Sequence, residues 1–188
     1  SIQNLRIETE DKLMKAKAIK DGYMPPLSPS VMNTIRPNYP LVAGLPYADT
    51  YLCNEGYGLI KYRSDRFGFR NNDEDWDTPN INIMIGDSFV HGACVDSDQT
   101  LPEYFEKITN EDILNLGIGG NNPNDYLAYA HLFIPKINPS NVYLVFYPND
   151  NGVKNPSMIK QFYVDGDEEL FSPSGLKLFD TEFFYSEG

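Results

Sequence analysis

Three apolar segments of strand length alternate with two amphipathic segments of helix length in the middle of the chain. In chain order these segments are residues 81–85, 98–108, 112–118, 122–134 and 141–147. Strand, helix, strand, helix, strand is the pattern of a parallel sheet whose strands are joined by crossover helices. The strands are largely apolar rather than alternating, as expected when both faces of a sheet are covered. The pattern therefore predicts an α/β domain.

Both helical segments carry local signals of their own. Asn122 stands where a helix cap is expected, and Pro123 follows at the first helical position, which favours a helix start. In the earlier segment, four apolar residues follow the i, i+3, i+4, i+7 spacing of a single helix face. They are Leu101, Tyr104, Phe105 and Ile108.

The part of the chain that precedes this core has a different character. Residues 2–20 have roughly helical spacing of apolar residues, which predicts a helix. Residues 23–46 contain six prolines, so regular structure is not expected there. We therefore divide the chain into an N-terminal helix with a proline- and aromatic-rich extension, residues 1–64, packed on an α/β domain, residues 65–188.

The balance of charge narrows the choice of partners. Asp and Glu number 27 and Lys and Arg number 15, so the net charge is −12. Such an acidic chain is repelled by nucleic acids and by anionic membrane surfaces. No apolar run approaches the roughly 20 residues of a membrane span, and no signal peptide is visible. The sequence leaves the oligomeric state and the compartment open, with the bacterial cytoplasm or the cell envelope as the expectation.

The chain contains two cysteines, Cys53 and Cys94. Two are too few for a disulfide-rich scaffold or a zinc-ribbon pattern. They either pair with each other or act as two small buried apolar residues. The sequence favours the second reading, because it does not show how far apart the two lie in space.

Three loops follow the three predicted strands. The first contains Gly86-Asp87-Ser88, the second is residues 117–122, and the third is residues 147–151. The carboxyl ends of parallel strands meet at one edge of a sheet, so a hydroxyl, glycine N–H groups and an asparagine amide would come together. An acyl-transfer site needs these groups, because an attacking serine creates an oxyanion that fixed donors stabilise. The competing interpretation is an ordinary turn in which Ser88 only caps a helix.

The three loops together resemble the SGNH (GDSL-type) hydrolase family. The resemblance rests on "IGDSFVHGACV", "NLGIGGNNPNDY" and "YLVFYPNDN", in the family's order, and "RSDRFGFRNND" is similar to the segment before the core of many bacterial members. It implies a three-layer α/β/α sandwich with a parallel, flavodoxin-like sheet. It also implies Ser88 as nucleophile, Gly120 and Asn149 as oxyanion donors, and Asp87 and Asp150 as supporting acids.

Two features depart from the family pattern. Tyr147 stands where the family has a glycine, and no D-x-x-H motif supplies the base that a serine nucleophile requires. The only histidines, His91 and His131, are interpreted as surface or packing residues. Either the chain is truncated and the histidine lies outside it, or it is a degenerate member that binds without cutting. Truncation is favoured, because a flavodoxin-like sheet has about five parallel strands; residues 156–188 would then be a hairpin-like insertion or the start of the missing part.

The expected activity is hydrolysis of a small acyl ester, with an O-acetylated carbohydrate as the example that the resemblance suggests. An acyltransferase on the same fold and a non-catalytic carbohydrate- or ester-binding module stay open. No metal and no organic cofactor is expected: "GIGGNN" lacks the Lys-Ser/Thr of a P-loop, and "VDGDEE" at 164–169 does not match an EF-hand. The aromatic-rich stretches, 47–69 and 162–185, are attributed to the core rather than to a sugar site.

Overall fold

The computed structural model describes residues 2–26, 41–55 and 58–150. The segment 156–188, with its predicted hairpin-like insertion, the second aromatic-rich stretch and the "VDGDEE" segment, lies outside these residues. The helices and strands, in chain order, are α1 (Ile2–Lys20), β1 (Asp49–Tyr51), β2 (Lys61–Arg63), β3 (Asn82–Gly86), α2 (Ser88–His91), α3 (Leu101–Thr109), β4 (Ile113–Gly117), α4 (Pro123–Ile137) and β5 (Val142–Leu144). Short 3-10 turns span Asp73–Asp77, Ser97–Gln99 and Pro148–Asp150.

A parallel sheet in the order β4-β3-β5 forms the centre of the domain. Ile83 is paired with Leu114 on one side and with Val142 on the other, and Gly86 is paired with Gly117. The predicted α/β alternation and the parallel sheet are therefore confirmed. Because β3 and β4 end in register, the loops that follow them leave the sheet side by side.

Helices cover both faces of this sheet. One face packs against α4 through a large apolar cluster that joins Ile83 and Leu114 to Tyr129 and Phe133. Met84 points to the opposite face, since neighbouring strand residues alternate. There it packs with Val90 of α2, and Phe105 of α3 lies against the same cluster.

The N-terminus of α4 forms as its sequence predicts. The Asn122 side chain accepts a hydrogen bond from the N–H of Asn124, and the Asp125 carboxylate accepts one from the N–H of Asn122. This reciprocal capping satisfies N–H groups that a helix leaves unpaired at its start. Pro123 occupies the first helical position, where no N–H is needed.

Helix α3 forms where a helix was expected, but its apolar face is turned largely outward. Leu101 is 43% exposed, Tyr104 52% and Ile108 82%. Of the four residues with helical spacing, Phe105 alone packs on the sheet, against the ring of Tyr143 at 4.9 Å between centroids. The spacing thus predicted the helix but not the direction of its apolar face.

The N-terminal part contributes to the same core. Helix α1 is present as predicted, and Met24 after it bridges to Thr50 of β1. Strands β1 and β2 pair antiparallel. Residues 41–43 are almost fully buried and belong to the cluster that contains Phe67 and Phe69. The aromatic residues of this stretch that reach the sheet are therefore core residues.

Asp65 organises the turn that brings Phe67 and Phe69 into the core. Its buried carboxylate accepts hydrogen bonds from the N–H groups of Phe67 and Phe69 and from the side chains of Asn71 and Trp76. Burial nevertheless raises the pKa of Asp65 to about 6, because its desolvation outweighs these hydrogen bonds.

Candidate active site

The nucleophile candidate lies at the carboxyl end of β3, at the start of α2. Asp87 caps this helix by accepting a hydrogen bond from the N–H of Phe89 at 2.9 Å, and its side chain is buried. Ser88 follows as the first helical residue and is partly exposed. Among the described residues, none hydrogen-bonds the Ser88 hydroxyl. The side chain is therefore accessible at a strand end, as the sequence suggested.

Two glycines allow α2 to sit directly on the strand ends. A Cβ on Gly86 would lie 2.5 Å from Cγ2 of Val90, and a Cβ on Gly117 would clash with the backbone nitrogen of His91. Any side chain at either position would push the helix and Ser88 away from the sheet. These glycines end two strands at the same register. The repetition of glycine at both strand ends is a sequence signal that could have indicated the close approach.

His91 is a buried structural residue of this site. Its Nδ1 accepts a hydrogen bond from the N–H of Gly119 at 3.3 Å, which places the proton of the neutral ring on Nε2. Nε2 then donates to the hydroxyl oxygen of Tyr62 at 3.1 Å. Burial, with the nearby charge of Arg70, lowers the pKa of His91 to about 3. The ring is thus neutral and engaged at both nitrogens, in line with its interpretation as a packing histidine.

His131, the other histidine, is exposed on α4. The described residues therefore offer Ser88 no histidine with a free ring nitrogen beside it.

The loop after β4 lies against the nucleophile. A Cβ placed on Gly119 would be 3.7 Å from Cβ of Ser88, an ordinary contact. Gly120 follows with φ +90°, a conformation that favours glycine, and is exposed. The N–H of Gly119 is engaged by His91, whereas the N–H of Gly120 has no hydrogen-bond partner within the described part of the chain. Gly120 is therefore the residue of this loop with a backbone donor available.

The third loop is held by Asp150. Its Oδ1 accepts a hydrogen bond from the Tyr126 hydroxyl at 2.9 Å, and its Oδ2 accepts one from the N–H of Tyr147 at 2.8 Å. The carboxylate therefore ties the turn that contains Asn149 to helix α4. Tyr147, at the position where the resemblance to SGNH hydrolases predicted a glycine, keeps a negative φ. The substitution therefore places no strained residue in this loop.

An aromatic pair connects the first and third loops. The rings of Phe89 and Tyr147 stack with 3.8 Å between centroids at an angle of 26°. Both side chains are about half exposed. Nothing local in either loop predicts this contact, so the pair was not expected from the sequence.

Cys53 and Cys94 form a disulfide, with 5.0 Å between their Cα atoms. The favoured reading of two separate buried thiols was therefore wrong. The bond joins the segment after β1 to the loop after α2. It thus fixes the chain immediately beyond the helix that carries Ser88.

Two depressions lie on either side of this helix. A groove of about 450 Å³ includes Ser88 in its lining, together with Phe89, Leu101 and Tyr104. A second, largely apolar cavity of about 280 Å³ reaches His91 and Gly119. Ala93 lines both. Within the described ranges there is no cluster of three or more His, Cys, Asp or Glu side chains placed to hold a metal ion.

Comparison with known proteins does not assign the chain to a family. No family model matches the chain. Neither a curated protein nor a solved structure shows significant similarity to it. Within the described residues, no helix is both long enough and apolar enough to cross a membrane.

What the arrangement can do chemically follows from its parts. A partly exposed serine hydroxyl lies at the start of a helix, beside a glycine loop with one unengaged N–H group, and an apolar groove adjoins it. Backbone donors fixed before a reaction stabilise negative charge that develops next to them. The arrangement can therefore bring a serine hydroxyl and a backbone donor next to the carbonyl group of a ligand, while the described residues supply no histidine base for that serine.

Proposed function

We propose that this protein is a serine ester hydrolase of the SGNH (GDSL) type with Ser88 as its nucleophile. The observation that carries the proposal is the meeting of the Ser88 and Gly119-Gly120 loops at the in-register ends of β3 and β4. The fold that goes with it is a three-layer α/β/α sandwich with a flavodoxin-like sheet. Three parallel strands with helices on both faces are the centre of such a sandwich.

The reaction starts when Oγ of Ser88 attacks the ester carbonyl while its proton passes to a base. The new O–C bond turns the carbonyl oxygen into an oxyanion, which the N–H groups of Ser88 and Gly120 and the amide of Asn149 would stabilise. Collapse of this intermediate breaks the bond to the alcohol, which leaves with the proton. Water then attacks the acyl-enzyme, regenerates Ser88 and releases the acid. Removal of one such donor costs roughly 3 to 4 kcal/mol in other hydrolases.

The base in this proposal is a histidine that the 188 residues do not contain. His91 does not fit the role, because Gly119 and Tyr62 occupy its two ring nitrogens and its buried ring stays neutral. A general base must be within hydrogen-bond reach of the proton that it takes, with a free lone pair. Asp87 and Asp150 act as supporting acids of their loops through the contacts they make with Phe89 and Tyr126.

The same engagement of His91 favours a second candidate, a module that binds esters or acylated carbohydrates without turnover. In that case Ser88 would contact the ligand but would not form a covalent intermediate. An acyltransferase differs from the hydrolase only in the acceptor, a hydroxyl instead of water, and is tested by adding acceptor alcohols to the assay.

Hydrolysis of p-nitrophenyl acetate tests the proposal. The 188-residue chain and the full translated product of its gene are assayed side by side, each with Ser88→Ala. Ser140→Ala, which alters an exposed serine before β5, is the matched control. We expect turnover by the full product, loss of at least about a thousandfold with Ser88→Ala, and no change with Ser140→Ala.

Intact-mass measurement during turnover adds a second readout, since an acetyl-enzyme adds one acetyl group to Ser88. A full product that hydrolyses none of a panel of short acyl esters would overturn the hydrolase proposal. Saturable binding of the same esters without turnover would support the binding module instead.

A further inference from the structure

The groove beside Ser88 has an unusual surface for an exposed part of an acidic protein. Its lining includes Phe89 from α2, Leu101 and Tyr104 from α3, and Val95 from the loop between these helices. Phe89, Leu101 and Tyr104 are each between 43% and 52% exposed. Single exposed apolar residues are ordinary, but a contiguous group around a depression marks a binding surface.

The orientation of α3 explains why these side chains are exposed. Thr100 caps the helix by accepting a hydrogen bond from the N–H of Glu103, and Pro102 is buried at its start. Phe105 packs toward the sheet, against Tyr143. With these residues directed inward, Leu101 and Tyr104 are turned toward the groove rather than into the core. The exposed apolar face is therefore a consequence of how the helix docks.

The disulfide gives the groove a fixed wall. Cys94 lines the groove and is bonded to Cys53. Arg70 holds the chain on both sides of Cys94, because it donates hydrogen bonds to the carbonyl oxygens of Gly92 and Val95 at 2.8 and 3.1 Å. The groove does not depend on mobile side chains alone for its shape. A pre-formed apolar site binds a flexible chain at a lower entropic cost than a site that must first be ordered.

We propose that this groove holds the acyl chain of a medium-chain ester during attack by Ser88. The inference rests on the proposed hydrolase function, because it assigns the part of the substrate that stays attached to Ser88 in the acyl-enzyme. That part must occupy space adjoining Ser88, and the groove is apolar. Its volume of about 450 Å³ lies within the range of small-molecule sites and exceeds the need of an acetyl group.

The negative charge of the protein also favours an uncharged acyl chain in the groove. Glu55 is at the groove, and the net charge of the chain is −12, so a free carboxylate or an anionic headgroup is repelled. A neutral ester enters, whereas the acid that hydrolysis releases is disfavoured in the same place. The site thus fits an ester substrate better than its acid product.

Binding to the Ser88→Ala protein tests the groove without any need for catalysis. The affinities of methyl octanoate and methyl acetate are compared by titration followed in 1H–15N spectra. We expect methyl octanoate to bind at least about tenfold more tightly, since each buried methylene favours binding. Tyr104→Gln should weaken the binding of methyl octanoate by about fivefold.

Ile108→Gln is the matched control for Tyr104→Gln. It removes an apolar side chain from the same face of α3, outside the groove lining, and should leave the binding of methyl octanoate unchanged. Equal affinities for the two methyl esters, or equal effects of the two variants, would overturn the proposal.

Kinetics of the full gene product then show whether the groove holds the acyl side or the alcohol side of the ester. Methyl octanoate and heptyl acetate are isomers that place the long chain on opposite sides of the ester bond. A higher kcat/KM for methyl octanoate, lost with Tyr104→Gln and kept with Ile108→Gln, supports the acyl assignment. A preference for heptyl acetate overturns it. If methyl octanoate binds as expected and no ester is hydrolysed, the groove stands as a binding site and the hydrolase proposal is the part that fails.

Discussion

The N–H of Gly119 and Nδ1 of His91 form a hydrogen bond of 3.3 Å that joins the loop after β4 to the helix turn carrying Ser88. Ser88 and His91 begin and end the same short helix, α2. The bond therefore sets the position of the glycine loop relative to the nucleophile. It requires a neutral imidazole, because a protonated ring has no lone pair at Nδ1.

This contact predicts a pH dependence of stability. The pKa of His91 is about 3 in the folded protein and 6.5 when unperturbed, so between these values the unfolded chain binds more protons. The free energy of unfolding must then fall as the pH is lowered from 6.5, by up to about 1.4 kcal/mol per pH unit. Above pH 6.5 this contribution is constant.

The check is the difference between wild type and His91→Gln, in which an amide that does not titrate replaces the imidazole. Urea denaturation at pH 7 and pH 5 should show the wild type losing about 2 kcal/mol more than the variant. The contribution of Asp65 to the pH dependence has the opposite sign, because its raised pKa makes the free energy of unfolding fall as the pH rises toward 6. Since Asp65 is present in both proteins, this contribution cancels in the difference. His131→Gln serves as control, and parallel profiles for wild type and His91→Gln would refute the buried neutral histidine.

The two glycines of the second loop should respond differently to a methyl group. A Cβ at Gly117 clashes with the backbone of His91 and with Val90, whereas a Cβ at Gly119 meets its nearest atoms at 3.7 and 3.8 Å. We expect Gly117→Ala to destabilise the protein by about 3 kcal/mol and Gly119→Ala by less than about 0.5 kcal/mol. Chemical denaturation of both variants measures this. Equal losses would mean that α2 does not rest on the end of β4.

The disulfide should contribute substantially to stability. Cys53 and Cys94 are separated by 41 residues in sequence, and closing a loop of that size in the unfolded chain is worth about 3 to 4 kcal/mol in the chain-entropy model. Reduction should therefore lower the melting temperature by several degrees. The double variant Cys53→Ser, Cys94→Ser should melt at the lower temperature with or without reductant. Alkylation of both thiols in the unreduced, unfolded protein would contradict the pairing.

The contact that anchors the third loop can be tested by removing one oxygen atom. Tyr126→Phe removes the hydroxyl that donates to Asp150 at 2.9 Å and leaves the ring in place. Loss of a hydrogen bond to a charged acceptor should cost about 1.5 to 3 kcal/mol. The N–H of Tyr147 also donates a hydrogen bond to Asp150, and it should exchange with solvent faster in this variant. Tyr143→Phe, on the preceding strand, is the control, and unchanged exchange in Tyr126→Phe would show that α4 does not anchor the loop.

The local sequence determined the elements and their order. Asn122 and Pro123 start α4 because capping involves residues within one turn of each other. The apolar segments form a parallel sheet because strands of that kind need cover on both faces. Asp87 and Asp150 stand in loops that the sheet brings to one edge, and their hydrogen bonds to Phe89 and Tyr147 are local. The hydrogen bond from Tyr126 that ties Asp150 to α4 is instead a tertiary contact.

The tertiary structure decided everything that depends on contacts between distant segments. Whether Cys53 meets Cys94, whether His91 keeps a free nitrogen and whether Phe89 stacks on Tyr147 are set by how the loops pack. The spacing of Leu101, Tyr104 and Ile108 defines a helix face but not what that face meets, since the docking of α3 turns it toward solvent and the groove. Periodicity fixes which side chains share a face, and only packing against the rest of the chain fixes where that face points.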